Sequence, residues 1–257
     1  MDKKFIILIL LLYLILYLIN NFKKLEQFDN LREYKNKFIK NSYYINLDRH
    51  RDRREYMGNQ FNKNKLNCLR FNGYDKKLLT NKKLDELRNK NILDTNYHPP
   101  KGKLGSIGCL MAHTNLYKHI KQNYKEGNFL IFEDDCKILP NFNEKLNKYI
   151  KTLPLDWDMA WLGYNNIKGS KINEDWYKPV QGFFREYNSQ HHCYLLNYKF
   201  IDKVLEILFP IKNNFINKDM IFRKNFDKFN AYFLKERLSI QDIEEFPISE
   251  RTGNRNG

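Results

Sequence analysis

The stretch Phe129-Leu130-Ile131-Phe132-Glu133-Asp134-Asp135 decides how this chain folds: four apolar residues run without a break into three carboxylates. With Gly127 and Asn128 before it, a run of this length predicts a buried strand of a parallel sheet. In open α/β sheets ligands bind beyond the carboxyl ends of the strands. Acidic side chains packed there repel one another unless a cation holds them, which points to a divalent-metal site. A solvated strand end followed by a turn accounts for the same residues without any chemistry.

On either side of this strand, apolar runs alternate with helical patterns. Residues 42–47 read as a first strand, residues 48–54 as a charged turn entering a helix, and residues 66–71 as a second strand. Residues 80–93 read as a polar helix, and Ser106 is expected to cap a helix carrying Ile107, Leu110, Met111, Tyr117 and Ile120. A helix over residues 142–150, strands over 159–163 and 192–196, and a helix over 200–208 follow. This alternation predicts an α/β domain with a mainly parallel sheet flanked by helices.

Residues 5–19 are continuous Ile, Leu, Tyr and Phe, between Lys3-Lys4 and Lys23-Lys24. As a helix this run would reach roughly 22 Å, short of a hydrocarbon core of ~30 Å. Bilayer thinning and snorkelling lysines close such a gap. No small-residue cleavage site follows the run. The expectation is therefore an uncleaved transmembrane signal-anchor at 1–20, a stem at 21–41 and a catalytic domain at 42–257, on the lumenal side of the endoplasmic reticulum or Golgi or at an equivalent viral or bacterial membrane. The net charge of +15 is spread along the 257 residues, which suits anionic ligands or an anionic membrane surface. Nucleic acid is a disfavoured partner, since no zinc spacing, RNA-recognition signature or repeat is present. Cys68, Cys109, Cys136 and Cys193 lie far apart with no CxxC pair, which argues against a sulfur metal cluster and a disulfide framework.

Several segments, in this order, resemble glycosyltransferase family 25, the lipooligosaccharide and collagen galactosyltransferase relatives. They are Tyr44-Ile45-Asn46-Leu47-Asp48-Arg49 with Arg53 and Arg54 behind it, Leu69-Arg70-Phe71-Asn72-Gly73-Tyr74-Asp75, and the run from Gly105 to His113. Phe129 to Asp135, Ile138-Leu139-Pro140, Trp157-Asp158 with Trp161-Leu162-Gly163, and His192-Cys193-Tyr194-Leu195-Leu196 complete the set. Asp219 matches the family's later aspartate, and Gln241 and Ser249 echo its final motif. Ala112 departs from it, standing where a serine usually precedes the histidine. The resemblance implies a GT-A-type, Rossmann-like fold. It also implies inverting transfer of a hexose, with galactose expected, from a UDP-sugar to a hydroxyl of a glycan or a collagen-like protein. Two rivals use the same composition: a metal-dependent phosphotransferase or nuclease, and a basic membrane-anchored binding protein without activity.

Within that reading Asp135 is the direct metal ligand, with Glu133 and Asp134 sharing the remaining roles; one of His191 and His192 completes the metal shell, His192 being the choice, and the other is exposed or structural. A carboxylate-rich oxygen site favours Mn²⁺ or Mg²⁺ over zinc. Glu133 and Asp135 would point the same way if extended geometry persists. Donor contacts are expected from Asn46, Arg49, Arg54 and Asp134, Arg being suited to bidentate phosphate binding. A solvated helix start explains the two arginines equally well. Gly105 and Gly108 permit close backbone approach where free N–H groups favour anions, or serve simple helix packing. Asp219 is the candidate general base, with a helix-dipole role as its alternative. His113 reads as a buried structural histidine. Trp157, Trp161 and Tyr164 offer either an aromatic face to sugar or core packing, which is the default for Trp161.

Overall fold

The structure is a computed structural model, and it describes residue 17 and residues 38–182, 187–212, 217–249 and 253–254. The chain divides into two units, Met1–Ile39 and Lys40–Gly257, and the second holds the folded domain. Apart from Tyr17, the apolar run at 5–19 lies outside the described residues, as does most of the stem. Among the described residues no helix is long and apolar enough to cross a membrane.

The strands in chain order are β1 (Ile39–Asn46), β2 (Leu69–Asn72), β3 (Asn128–Glu133), β4 (Cys136–Ile138), β5 (Met159–Gly163), β6 (Gly169–Lys171), β7 (Trp176–Pro179), β8 (Cys193–Asn197), β9 (Ala231–Leu234) and β10 (Ser239–Gln241). A short two-stranded ladder of β11 (Ile248–Ser249) and β12 (Gly253–Asn254) stands apart. The main sheet runs β2-β1-β3-β8-β5-β9-β7-β6, with β10 bridging β5 and β4. Helices α1 (Arg51–Lys63), α2 (Asn81–Asn89), α3 (Leu104–Asn123), α4 (Phe142–Ile150), α5 (Ile201–Leu208) and α6 (Lys218–Lys224) connect them.

The sheet is mixed, which corrects the expectation of a mainly parallel one. β1 pairs β2, and β5 pairs both β9 and β10, in parallel. β8, however, lies antiparallel between β3 and β5, and β7 is antiparallel to both β6 and β9. β8 is buried from Cys193 through Leu196, so its sequence is as uniformly apolar as that of a parallel strand and carries no sign of direction. β5 is buried along its whole length, and β3 from Phe129 to Phe132.

Local chemistry explains most boundaries. Thr80 accepts the Lys83 N–H at 3.3 Å and caps α2. Asn217 does the same for α6, accepting the Asp219 N–H at 2.9 Å. The predicted cap at Ser106 is corrected: α3 begins at Leu104, so Ser106 is a buried residue of its first turn. Trp161 stacks on Phe233 at 4.7 Å and is surrounded by Phe222, Phe226 and Phe229. Trp157 and Tyr164 are buried as well, and the Tyr164 hydroxyl donates to the Leu234 carbonyl. All three aromatic residues are therefore core, and none presents a face to sugar.

Candidate active site

At the carboxyl end of β1, Asn46 is 1% exposed, and its amide ties together the residues around it. Its Nδ2 donates to Asp134 Oδ2 at 2.8 Å and to the His50 carbonyl at 3.1 Å. Its Oδ1 accepts from Arg70 Nε at 3.0 Å and from Arg54 Nε at 3.3 Å. Arg70 also reaches Asp48 Oδ1 at 2.5 Å, and this guanidinium holds the exposed Asp48 carboxyl below its ordinary range. Arg49 instead pairs with Asp75, which caps the short turn after β2 by accepting the Lys77 N–H at 2.9 Å. Gly108 packs α3 against that turn: a Cβ there would lie 2.7 Å from the Tyr74 carbonyl oxygen. This close approach fits the packing alternative for Gly108. Gly105 sits half-buried in the first turn of α3.

The three carboxylates at the end of β3 part company. β3 stops at Glu133, and residues 134–135 form a turn into β4, so the extended geometry does not persist. Asp134 faces α1, where Arg53 NH1 donates to its Oδ1 at 2.9 Å. Asp135, 5% exposed, accepts from Gln241 Nε2 at 3.0 Å, with Arg53 NH1 3.8 Å away. Glu133 faces α3 and α6: its Oε1 lies 3.0 Å from His113 Nε2 and 2.7 Å from Lys218 Nζ. Burial alone would raise the Glu133 carboxyl, but Lys218 and His113 outweigh it and hold it well below its ordinary value. The imidazole of His113 is wholly buried, and burial together with Lys218 lowers it to about 4. Its Nδ1 lies 2.7 Å from the Tyr194 hydroxyl, which in turn meets the Tyr117 hydroxyl at 2.7 Å.

His192 lies beside Asp135 on the other flank. Glu133 N–H donates to the His192 carbonyl at 2.9 Å, which locks the start of β8 to the acidic end of β3. The ring is fully buried, and burial lowers its pKa against the opposing pull of Asp135. Backbone groups of Ser239 and Gln190 lie near it, yet among the described residues neither ring nitrogen meets a partner in hydrogen-bond geometry. Among the described residues the Ser239 hydroxyl likewise lacks a partner in hydrogen-bond geometry, with the Cys136 thiol nearby. Gly163 makes the room: a Cβ there would collide with His192 Nε2 and Ser239 Oγ. Asp219, 4% exposed, accepts the Gln190 N–H at 2.9 Å and lies 3.3 Å from His191 Nδ1. His191 donates from Nε2 to the Asn188 carbonyl at 2.9 Å, and burial lowers it to about 4.

One grouping of three ligand-type residues and one neighbouring pair are candidates for a cation. Asp135 and His192 offer a buried carboxylate and an unsatisfied imidazole. Cys109, His113 and Glu133 form the grouping of three, their ligand atoms lying within 4.8 Å of one another. The predicted metal trio of Glu133, Asp135 and His192 is thus divided, with Glu133 in one grouping and the other two outside it.

A family model described as glycosyltransferase family 25 (LPS biosynthesis protein) matches residues 39–236. The chain belongs to glycosyltransferase family 25. It is 27% identical over 161 residues to procollagen galactosyltransferase 1-A of Xenopus laevis, covering 61% of this chain and 26% of that protein. It is 30% identical over 133 residues to a putative glycosyltransferase of Acanthamoeba polyphaga mimivirus, covering 51% and 39%. The chain spans well under half the length of these relatives. Among solved structures it is similar to a glycosyltransferase involved in glycosylation of the major capsid of PBCV-1, with a TM-score of 0.42 and 8% identity, covering 78% of this chain and 91% of that one.

In this family 25 domain the acidic strand end, Asn46 and Arg54 converge, with Arg49 tied to the neighbouring turn. Arg53, Arg70 and Lys218 also belong to the site, although composition and motif did not assign them roles. Two of the three left a pattern. Arg53 shares the buried stripe of α1 with Met57 and Phe61, and Lys218 shares that of α6 with Ile221 and Phe222. A cation at apolar positions of a helical repeat is a buried cation seeking a carboxylate.

Proposed function

We propose that this domain transfers a hexose, with galactose expected, from a UDP-sugar to a hydroxyl of a glycan or collagen-like protein, with inversion and with help from Mn²⁺ or Mg²⁺. The observation that carries the reading is the convergence of Asn46, the Arg53–Asp134 pair, Asp135 and His192 where β1, β3 and β8 meet, in a chain of this family. Asn46 and Arg54 would contact the nucleotide and diphosphate, and Arg49 stands at the adjoining turn. Asp135 and His192 would hold the ion, since the unsatisfied ring nitrogens of His192 beside a buried carboxylate fit a ligand role. When bound, the ion supplies Lewis-acid neutralisation of charge on the departing diphosphate. Asp219 is the proposed base for the acceptor hydroxyl: its buried carboxylate is held by the Gln190 N–H in the loop leading to His192. The apolar run at 5–19 is proposed to hold the domain at a membrane.

The test measures UDP release by the purified 257-residue chain from a panel of UDP-sugars, first with Mn²⁺ and then with EDTA. Metal-dependent release from one sugar is the expected result. No release across the panel, together with no metal-dependent donor binding by calorimetry, would overturn the proposal. Asp219→Asn should keep donor binding and lose transfer; loss of donor binding would move Asp219 from the acceptor side to the donor side.

A further inference from the structure

Lys218 is 2% exposed, and the transfer reading gives it no task. An ammonium carries three N–H donors. Here three polar atoms surround it: Glu133 Oε1 at 2.7 Å, His113 Nε2 at 3.0 Å and the His191 carbonyl at 3.2 Å. The Tyr194 ring lies 5.3 Å from Nζ, within cation–π range. Glu133 and His113 are two members of the Cys109–His113–Glu133 grouping, and Cys109 and His113 share one face of α3 at i and i+4. Thiolate, imidazole and carboxylate are donors that zinc accepts. The ammonium is already within hydrogen-bond distance of two of those ligand atoms, so a second cation would face it at close range.

We propose that Lys218 is the built-in cation of the acidic motif. Its ammonium fills the point where Cys109, His113 and Glu133 converge, and it confines an exchangeable divalent ion to the Asp135–His192 side. The ammonium also orients the network behind it. His113 Nε2 lies 3.0 Å from both Lys218 Nζ and Glu133 Oε1, while its Nδ1 meets the Tyr194 hydroxyl, which in turn meets that of Tyr117. Glu133 then enters the site as a neutralised, fixed hydrogen-bond acceptor, its side chain keeping 23% exposure. Lys218 is a positioning residue acting through Glu133. The inference builds on the site reading above, but its test needs neither donor nor turnover, so the two fail separately.

The experiment titrates Co²⁺ into the 257-residue chain without donor and reads the absorption spectrum, in which thiolate ligation gives a charge-transfer band. The wild type should show no thiolate band. Lys218→Met should gain one equivalent of Co²⁺ with that band, and Lys218→Met/Cys109→Ser should lose it again. A thiolate band in the wild type that Cys109→Ser removes would overturn the proposal, as would a folded Lys218→Met protein that gains no ion. Should Lys218→Met fail to fold, the wild-type protein decides alone: a band that Cys109→Ser removes overturns the proposal, and a spectrum unchanged by Cys109→Ser, in a protein whose Co²⁺ binding is abolished by Asp135→Ala, supports it.

Discussion

Replacing Arg53 by Met tests whether α1 and the acidic turn are held together electrostatically. The side chains of Arg53 and Asp134 are only 9% and 14% exposed, and they meet at 2.9 Å. Breaking a buried ion pair by removing one partner costs about 3–5 kcal/mol, because the other charge is left uncompensated. Asp134 retains the Asn46 amide at 2.8 Å and has His50 Nδ1 at 3.9 Å, which lowers the expected loss to about 2–3 kcal/mol. Methionine keeps most of the packing against Phe246, over whose ring the guanidinium sits at 4.5 Å. With a urea slope of about 2 kcal/mol/M, the unfolding midpoint should fall by about 1–1.5 M. The double variant Arg53→Met/Asp134→Asn should be more stable than Arg53→Met alone, since the orphaned charge goes with its partner. A loss below about 1 kcal/mol, or a double variant no better than the single, would refute the idea that this pair fastens the turn.

Asp135→Ala should lower turnover at least ~10²-fold, the scale of losing one preorganised electrostatic contact, and should abolish ion binding while leaving the fold intact; near-normal turnover would remove Asp135 from the site. Gly163→Ala should destabilise the fold by about 1–3 kcal/mol, because the wholly buried His192 ring has no space to retreat; an unchanged urea midpoint would show that the ring moves freely. Acid should weaken the fold in a defined window. His113 and His191 are both lowered to about 4, chiefly by burial, so the unfolded chain binds their protons first as pH falls. Their stabilisation is complete above the unfolded value near 6.5 and is lost as pH falls from there to about 4, by up to about 3 kcal/mol each. A urea midpoint constant across that window would contradict their neutral, buried state.

Much of this domain was legible in advance because buried strands and amphipathic helices write their period into the sequence. β5 and α4 occur at the predicted residues, and β1 and β2 begin within three residues of them. Strand direction was not legible. β8 and β3 are equally apolar, and only the excursion through the β6–β7 hairpin turns the chain around. β4, β9 and β10 were missed because three or four residues give too short a window for any period. Site residues were legible where one motif held them together, as at residues 133–135. Lys218 comes from a helix 85 positions further along the chain than Glu133, and no local pattern announces that meeting.

The turn at Asp134 shows why alternation along a strand was the wrong guide to the acidic motif. Had the strand continued, Glu133 and Asp135 would have shared a face with their negative charges side by side, a destabilising arrangement without a resident cation. The chain turns instead and gives each carboxylate its own partner: Lys218 for Glu133, Arg53 for Asp134, and the uncharged Gln241 amide for Asp135. Of these three hydrogen bonds, only that of Asp135 comes from a neutral group, while Arg53 stands at 3.8 Å. A divalent ion at Asp135 would share the carboxylate with the Gln241 amide and the Arg53 guanidinium. The motif thus sorts its carboxylates by the cations built around them, and the same sorting explains why the loss of Lys218 is expected to open a second, chemically softer site at Glu133.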